Sequence, residues 1–265
     1  MTNPVLIEAR HIAKSYLLPT LFLRKYKDFF TDVDFRIRRG EIVGLAGPSG
    51  VGKSTLGRLI IGLDEPSRGE MLIEGIPASR WRKSHPARMS IVMQDYADSA
   101  NPSWTVRQVI EEPLRILREK PKGRAEELLR AVELPESYAD RYPHQLSGGQ
   151  LQRVCIARAL AANPEIVLFD EAVSSLDVPV QAGILRLLKK LHTPDSTWIF
   201  ISHDLCAIAN LCPRILFLGE GKVVEDVETA GSSRVRSRVA TQLLRSVLPF
   251  ETEAKAGKVA PDGTG

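Results

Sequence analysis

Gly47-Pro48-Ser49-Gly50-Val51-Gly52-Lys53-Ser54-Thr55 decides how the rest of the chain is read, because it fits G-x-x-x-x-G-K-[ST], the phosphate-binding P-loop. Its flanks carry as much weight as the match. Residues 41–46 (EIVGLA) form an apolar run of strand length, and residues 55–62 (TLGRLIIG) show helical spacing that ends on glycine. Strand, glycine loop and helix is the context in which such a loop folds. Gly47, Gly50 and Gly52 let the backbone turn tightly and bring successive N–H groups onto the phosphates of a nucleotide. The helix adds its free N–H groups and about half a positive charge. Lys53 reaches the β- and γ-phosphates as a point charge, and the Ser54 hydroxyl is of the type that ligates Mg²⁺. A glycine turn that merely precedes a lysine would make both flanks coincidental. The stretch predicts a nucleoside triphosphate site.

Composition bounds what surrounds that site. A chain of 265 residues can bury a full α/β core with room for a subdomain. No stretch approaches ~18–20 uninterrupted apolar residues, so no transmembrane helix is expected. The first residues (MTNPVLIEARH) lack a basic region followed by an apolar run, so no secretory signal is expected either. Work at a membrane would then require recruitment by a partner. The net charge of +4, with a sequence pI near 9.0, is the excess a solvated exterior ordinarily carries, and no nucleic acid is expected as partner. Cys155, Cys206 and Cys212 show no C-x-x-C pairing and lie among apolar residues, which predicts buried reduced thiols in a cytosolic chain.

In chain order, strands are predicted at 5–9, 33–37, 71–74 and 90–93, with Gly75 and Pro77 marking a turn. The apolar and basic stretch 17–30 (LLPTLFLRKYKDFF) has no assignable structure. From about residue 98 the texture becomes helical, with runs at 106–117 and 124–134 separated by Lys120-Pro121-Lys122-Gly123. Strands return at 166–169, 198–202 and 215–218, with helices at 150–162 and 180–191 between them. Gly219-Glu220-Gly221-Lys222 joins two strand-like runs as a hairpin. Alternating strands and helices predict an α/β core with a mainly parallel sheet. The stretch 251–265, rich in Ala, Gly, Lys and Glu, is expected to be disordered.

Ile166-Val167-Leu168-Phe169 reads as a buried strand that ends in Asp170 and Glu171. In a P-loop protein such an Asp completes the Mg²⁺ shell, usually through water, and the adjacent Glu171 is placed to orient and activate the attacking water. Without the P-loop, two acids after a strand would read as a helix cap or a solvated turn. Leu146-Ser147-Gly148-Gly149-Gln150 then stands just ahead of a helix (QLQRVCIARALA), a second anion-binding helix start. Two such starts are surplus to a chain that serves one nucleotide alone.

LSGGQ before that helix resembles the signature motif of ATP-binding cassette (ABC) ATPases. In that family two cassettes pair head to tail, and the signature of one closes on the ATP held by the P-loop of the other. The resemblance extends from residue 5 to about 225 and implies further roles. Gln94 is similar to the Q-loop glutamine that reaches Mg²⁺ and the attacking water, and Ser175-Leu176-Asp177 resembles the D-loop that crosses between cassettes. His203 is similar to the switch histidine on the γ-phosphate, and Tyr16 to the aromatic residue that stacks on adenine. Singly, a His after a strand or a lone Tyr reads as structural; order and spacing around two strong motifs give them weight. The implied fold is α/β: a P-loop NTPase cassette with a RecA-like core, an antiparallel β-subdomain and a helical subdomain. Its expected divisions are 1–94 (core with β-subdomain and P-loop), 95–150 (helical subdomain ending in the signature), 151–230 (rest of the core) and 231–265 (tail). ATP and Mg²⁺ are the implied cofactors.

A narrower resemblance rests on Gln94-Asp95, Ser99-Ala100-Asn101-Pro102, Glu112-Pro113-Leu114, Tyr142-Pro143-His144-Gln145 and Asp177-Val178-Pro179-Val180-Gln181. These look like the group serving oligopeptide, dipeptide and nickel importers, and Asp170-Glu171-Ala172-Val173-Ser174 with QAGILRLLKKL looks most like its nickel-type members. Ala172 stands where Pro is common, the tail lacks the usual His-Pro-Tyr lead, and there is no late cysteine cluster. The group implies two permease subunits, a second and usually different cassette ATPase, and an extracytoplasmic solute-binding protein. It also implies a peripheral place on the cytoplasmic face of the membrane. Rival readings share the site: an exporter ATPase, a soluble cassette ATPase acting on nucleic acid or ribosomes, and a nucleotide-binding regulator.

Overall fold

Val43, Leu45 and Ala46 are fully buried because the strand that carries them has neighbours on both edges and a packed layer on each face. The computed structural model describes residues 3–18 and 25–229, apart from the side chains of residues 17, 18, 25–27 and 97. The expectations for 19–24 and for the tail beyond 229 lie outside the described residues. In chain order the strands are β1 (Val5–Leu18), β2 (Lys25–Arg38), β3 (Ile42–Ala46), β4 (Arg68–Ile73), β5 (Ile76–Pro77), β6 (Met89–Met93), β7 (Ile166–Asp170), β8 (Thr197–Ile201), β9 (Arg214–Gly219) and β10 (Lys222–Glu228). The helices are α1 (Lys53–Ile60), α2 (Ala78–Ser84), α3 (Tyr96–Ser99), α4 (Val106–Ile110), α5 (Glu112–Ile116), α6 (Arg124–Ala131), α7 (Gly148–Leu160), α8 (Val178–Leu191) and α9 (Leu205–Leu211).

Two sheets result. An antiparallel sheet has the order β2-β1-β4-β5, and a six-stranded sheet has the order β10-β9-β3-β8-β7-β6. In the larger sheet β9, β3, β8, β7 and β6 run parallel, and β10 returns antiparallel through Glu220 and Gly221, both at positive φ (49° and 74°) as a tight hairpin requires. Side chains alternate across this sheet. Ile166 and Leu168 join a core with Leu6, Phe30 and Leu56 from β1, β2 and α1. Val167 and Phe169 join a second core with Val154, Ile184 and Ile208 from α7, α8 and α9. Each fully buried side chain of this size contributes about 1.5–3 kcal/mol, so the sheet is held from both faces.

Several local expectations change. The strand predicted at 5–9 runs on to Leu18, and it bulges between Ala9 and Ile12, where His11 takes φ 48°. The bulge resets the two-residue alternation that sequence reading depends on. The stretch 17–30 supplies the end of β1 and the first residues of β2. The helix predicted at 106–117 is broken: Glu111 closes α4 and opens α5, whose second residue is Pro113. Proline has no N–H to continue a ladder and suits a helix's first turn, so the chain restarts there. Cys155 and Cys212 are buried as expected, but Cys206 is exposed on the outer face of α9. Among the described residues, no helix is long and apolar enough to cross a membrane.

Candidate active site

Four parallel strands bring their carboxyl ends to one edge of the larger sheet. Ala46 of β3 leads into the P-loop, Asp170 ends β7, Ile201 of β8 leads to His203, and Met93 of β6 leads to Gln94. Ligands of open parallel sheets bind at that edge.

The P-loop is shaped by its glycines. Gly52 takes φ 102° as the residue before α1, and a Cβ there would lie 2.9 Å from the Phe30 ring. Only glycine meets both conditions. Gly47 lies directly on β9, where a Cβ would come within 2.5 Å of the Leu218 carbonyl oxygen. Pro48, Ser49 and Gly50 form an exposed rim, with Val51 and Thr55 half-buried behind it. Lys53 opens α1; its buried Nζ donates to the carbonyls of Gly47 at 2.9 Å and Pro48 at 3.1 Å. Burial lowers the Lys53 pKa, and the nearby Glu171 and Asp170 oppose that shift.

The Ser54 hydroxyl donates to Asp170 Oδ1 at 2.9 Å, so the P-loop and the end of β7 meet directly. Burial pushes the Asp170 carboxyl up, against the Ser54 hydrogen bond, and the neighbouring Glu171 adds to the rise. A charged Asp170 is therefore costly alone, and a cation beside it offsets that cost. A hydroxyl and a carboxylate are hard oxygen donors of the kind Mg²⁺ takes, so Ser54 and Asp170 fit that ion.

Glu171 has a backbone no β-rich stretch would predict. Its φ is 51°, a left-handed conformation that costs a non-glycine residue about 1–2 kcal/mol. Four hydrogen bonds hold it. Glu171 N donates to the Ile201 carbonyl at 2.9 Å, and the Glu171 carbonyl accepts from Ser174 N at 3.2 Å and Ser174 Oγ at 2.8 Å. The next carbonyl, Ala172, accepts from Gln152 Nε2 at 2.6 Å. Held this way, the Glu171 carboxylate stands 2.9 Å from His203 Nδ1.

The other sequence candidates are placed around this centre. Tyr16 is half-buried against α1, its hydroxyl donating to Asp64 and the Phe29 ring edge-on at 5.5 Å. Gln94 is exposed just past β6, and no hydrogen bond joins its side chain to the other candidates. Ser147 precedes α7 and forms a reciprocal cap with Gln150: Ser147 N donates to Gln150 Oε1 at 3.0 Å, and Gln150 N to Ser147 Oγ at 3.4 Å. Gly148 and Gly149 let Tyr96 and Val180 approach, where a Cβ would lie 2.7 Å and 2.6 Å away. None of Ser147, Gly148, Gly149 and Gln150 bonds the P-loop of its own chain. Asp177 is exposed at the start of α8, beside Val178, which is 76% exposed.

Two residues escaped the sequence reading. Asp204 caps α9 through Ala207 N at 3.2 Å and accepts from Gln181 Nε2 at 2.7 Å, tying α8 to the segment carrying His203. An Asp directly ahead of an apolar helical run is the readable signal. Gln152 is the other: a polar residue at an inward position of α7, among buried Leu151, Val154, Cys155 and Ile156.

Comparison with known proteins agrees with this geometry. A family model described as "ABC transporter" matches residues 30–174. The chain is 41% identical over 254 residues to the nickel import ATP-binding protein NikE of Brucella abortus (strain 2308), spanning 92% of this chain and 96% of that one. It is 42% identical over 234 residues to the NikE protein of Shigella dysenteriae serotype 1 (strain Sd197), spanning 85% and 87%. Among solved structures, the post-hydrolysis dimer of the ATP-binding cassette MJ0796 bound to ADP and Pi superposes with a TM-score of 0.72 at 33% identity, covering 85% of this chain and all of that one. A family match over more than half the sequence, with relatives spanning nearly all of it, gives this sheet edge its meaning: the chain belongs to the ABC transporter family, as an ATP-hydrolysing cassette.

Proposed function

We propose that this cassette is one of a pair whose ATP hydrolysis drives uptake of nickel or a nickel chelate. The observation that carries the hydrolytic part is the joining of Ser54 to Asp170 and of Glu171 to His203 at one sheet edge, beside Lys53. The names of the relatives, at 41% identity over nearly the full length, support the cargo. The motifs shared with oligopeptide and dipeptide importers make those cargoes the second reading.

In this mechanism the amides of Gly47 to Thr55, with Lys53, cradle the triphosphate of ATP, and the Tyr16 ring stacks on its adenine. Ser54, Asp170 and Gln94 would hold Mg²⁺, which would supply charge neutralisation for the triphosphate. Glu171 orients and activates the attacking water, and His203 contacts the γ-phosphate while restraining the Glu171 carboxylate. Ser147, Gly148, Gly149 and Gln150 of the paired cassette close on the same phosphate from the other side, with Asp177 crossing between. The exposure of Ser147, Asp177 and Val178 supports such a pairing. Closure excludes water and aims fixed donors at the transferring group, where charge positioning does most of the catalytic work.

Coupling to two permease subunits follows from a second surface. A groove of about 290 Å³ runs between β6 and α5, lined by Met89, Ile91, Pro113 and Ile116, and Ile116 is 71% exposed. A groove with an apolar floor and the Glu112–Arg158 ion pair at its side suits a short permease helix, and the helical stretch 95–150 carries its motion to the signature. The chain then works peripherally on the cytoplasmic face of the membrane, with a solute-binding protein presenting cargo to the permease.

A pull-down of tagged full chain from detergent-solubilised membranes, with mass spectrometry of what is retained, tests this. The expected result is two permeases and a second, different cassette, with nickel uptake by the reconstituted assembly. Ribosomal proteins or nucleic acid without membrane subunits would overturn the transport reading. Peptide uptake without nickel uptake would replace the cargo.

A further inference from the structure

Gln152 is fully buried, yet only half of its amide is satisfied. Nε2 donates to the Ala172 carbonyl at 2.6 Å, while Oε1 is buried and has no hydrogen-bond partner among the described residues. A buried amide oxygen without a donor is a standing cost, and an apolar side chain of the same length would not carry it. What Gln152 does at Ala172 is therefore the part to account for. Ala172 is itself buried, and it directly follows Glu171, whose left-handed backbone persists only where its surroundings over-determine it. Two of the bonds that hold this turn come from Ser174 within it, and one from Ile201 of β8. The fourth comes from another element, α7. Gln152 lies five residues beyond Ser147 on α7, about 7.5 Å along one rigid helix.

We propose that Gln152 is a positioning residue for hydrolysis: its amide fixes the carbonyl after Glu171, so that displacement of the signature end of α7 reaches the Glu171 carboxylate. This rests on the reading of Glu171 as the group that activates water. When α7 shifts, the short Nε2–O bond pulls the Ala172 carbonyl with it, and the Glu171 side chain turns relative to His203. The signature of a chain thereby adjusts its own chain's carboxylate as well as closing on its partner's phosphate.

The test is a double-mutant cycle in the full chain, reading kcat and KM for ATP together with the thermal midpoint. Gln152→Met removes the donor and the unpaired oxygen at similar volume. The expected result is a kcat lowered about tenfold, about 1.4 kcal/mol of barrier, with KM and thermal midpoint little changed. Gln152→Asn, whose shorter amide cannot reach Ala172, is expected to behave alike and serves if the Met variant does not fold. In a Glu171→Gln background, Gln152→Met is expected to add no further loss, because its effect runs through that carboxylate. Unchanged kcat, a change in KM alone, or losses that multiply in the double variant would each overturn the inference. Normal hydrolysis by Glu171→Gln alone would instead remove Glu171 from its role, which is a failure of the parent reading.

Discussion

Tyr16 shows how much one side chain can be asked to do. Its hydroxyl donates to Asp64, burial and the Asp64 carboxylate push the phenol's pKa up, and the Lys14 ammonium lies 4.7 Å from the ring centroid. Stacking on a base needs only the ring face, so the two parts separate experimentally. Tyr16→Ala is expected to weaken ATP binding by about 1–3 kcal/mol, and Tyr16→Phe to leave it nearly unchanged, both read by titration with a fluorescent ATP analogue. Equal losses in the two variants would assign the effect to the Asp64 bond. Glu171→Gln is expected to retain ATP binding and slow hydrolysis by roughly 10²–10³, about 3–4 kcal/mol of barrier. Lys53 stood out through the G-x-x-x-x-G-K-[ST] pattern, Asp170 and Glu171 because they end an apolar run that reads as a strand by itself, and His203 only through its order and spacing relative to those motifs. Gln152 was not legible, since its importance depends on which carbonyl α7 faces. Cys206 misled because Leu205, Ala207 and Ile208 around it turn inward while a seven-residue helix keeps its other face in water.

Helix α7 is the element on which the site's two halves depend. Its first turn packs so closely that a Cβ at Gly149 would lie 2.6 Å from Val180 Cγ1, the end of a stiff β-branched side chain on α8. Gly149→Ala is therefore expected to destabilise the fold by about 1–3 kcal/mol through overpacking, seen as a lower urea midpoint. Adding Val180→Ala frees the space, so the double variant should lose less than the sum of the two. Helices α7 and α8 were located to within two residues, because both are long, uninterrupted helical runs, and α8 repeats an amphipathic pattern several times. Periodicity failed where the pattern is interrupted. Pro113 splits α4 from α5, and the His11 bulge ends the alternation of β1 halfway along a strand that continues to Leu18.

Across the whole molecule the two sheets are tied at their far ends by charge. Arg39 donates to Glu165 at 2.5 Å and to Glu74 at 2.6 Å, and Arg88 also pairs with Glu165, joining the end of β4 to the starts of β6 and β7. Burial opposes ionisation of Glu165, but the Arg39 and Arg88 guanidinium groups outweigh it and hold its carboxyl below the ordinary value of 4.5. A depressed carboxyl contributes stability that is fully present above that value and is lost as pH falls through the folded pKa. The urea midpoint of Glu165→Gln should thus lie below that of the parent near neutral pH, and the gap should close on acidification below about pH 4. A constant gap would mean that packing, not charge, is what Glu165 supplies. Such ties were unreadable in advance, since their partners lie up to 126 residues apart. The same distance in sequence governs how the chain comes into being. Strand β3 and the loop it launches are made early, but β3 is flanked by β8 and β9, and Gly47 rests on Leu218. A nascent chain leaving the ribosome carries its nucleotide loop for some 160 residues of synthesis before the strands that seat it emerge. ATP capture is then a late event of translation, and fragments ending ahead of β9 leave one edge of β3 bare and its glycine loop unsupported.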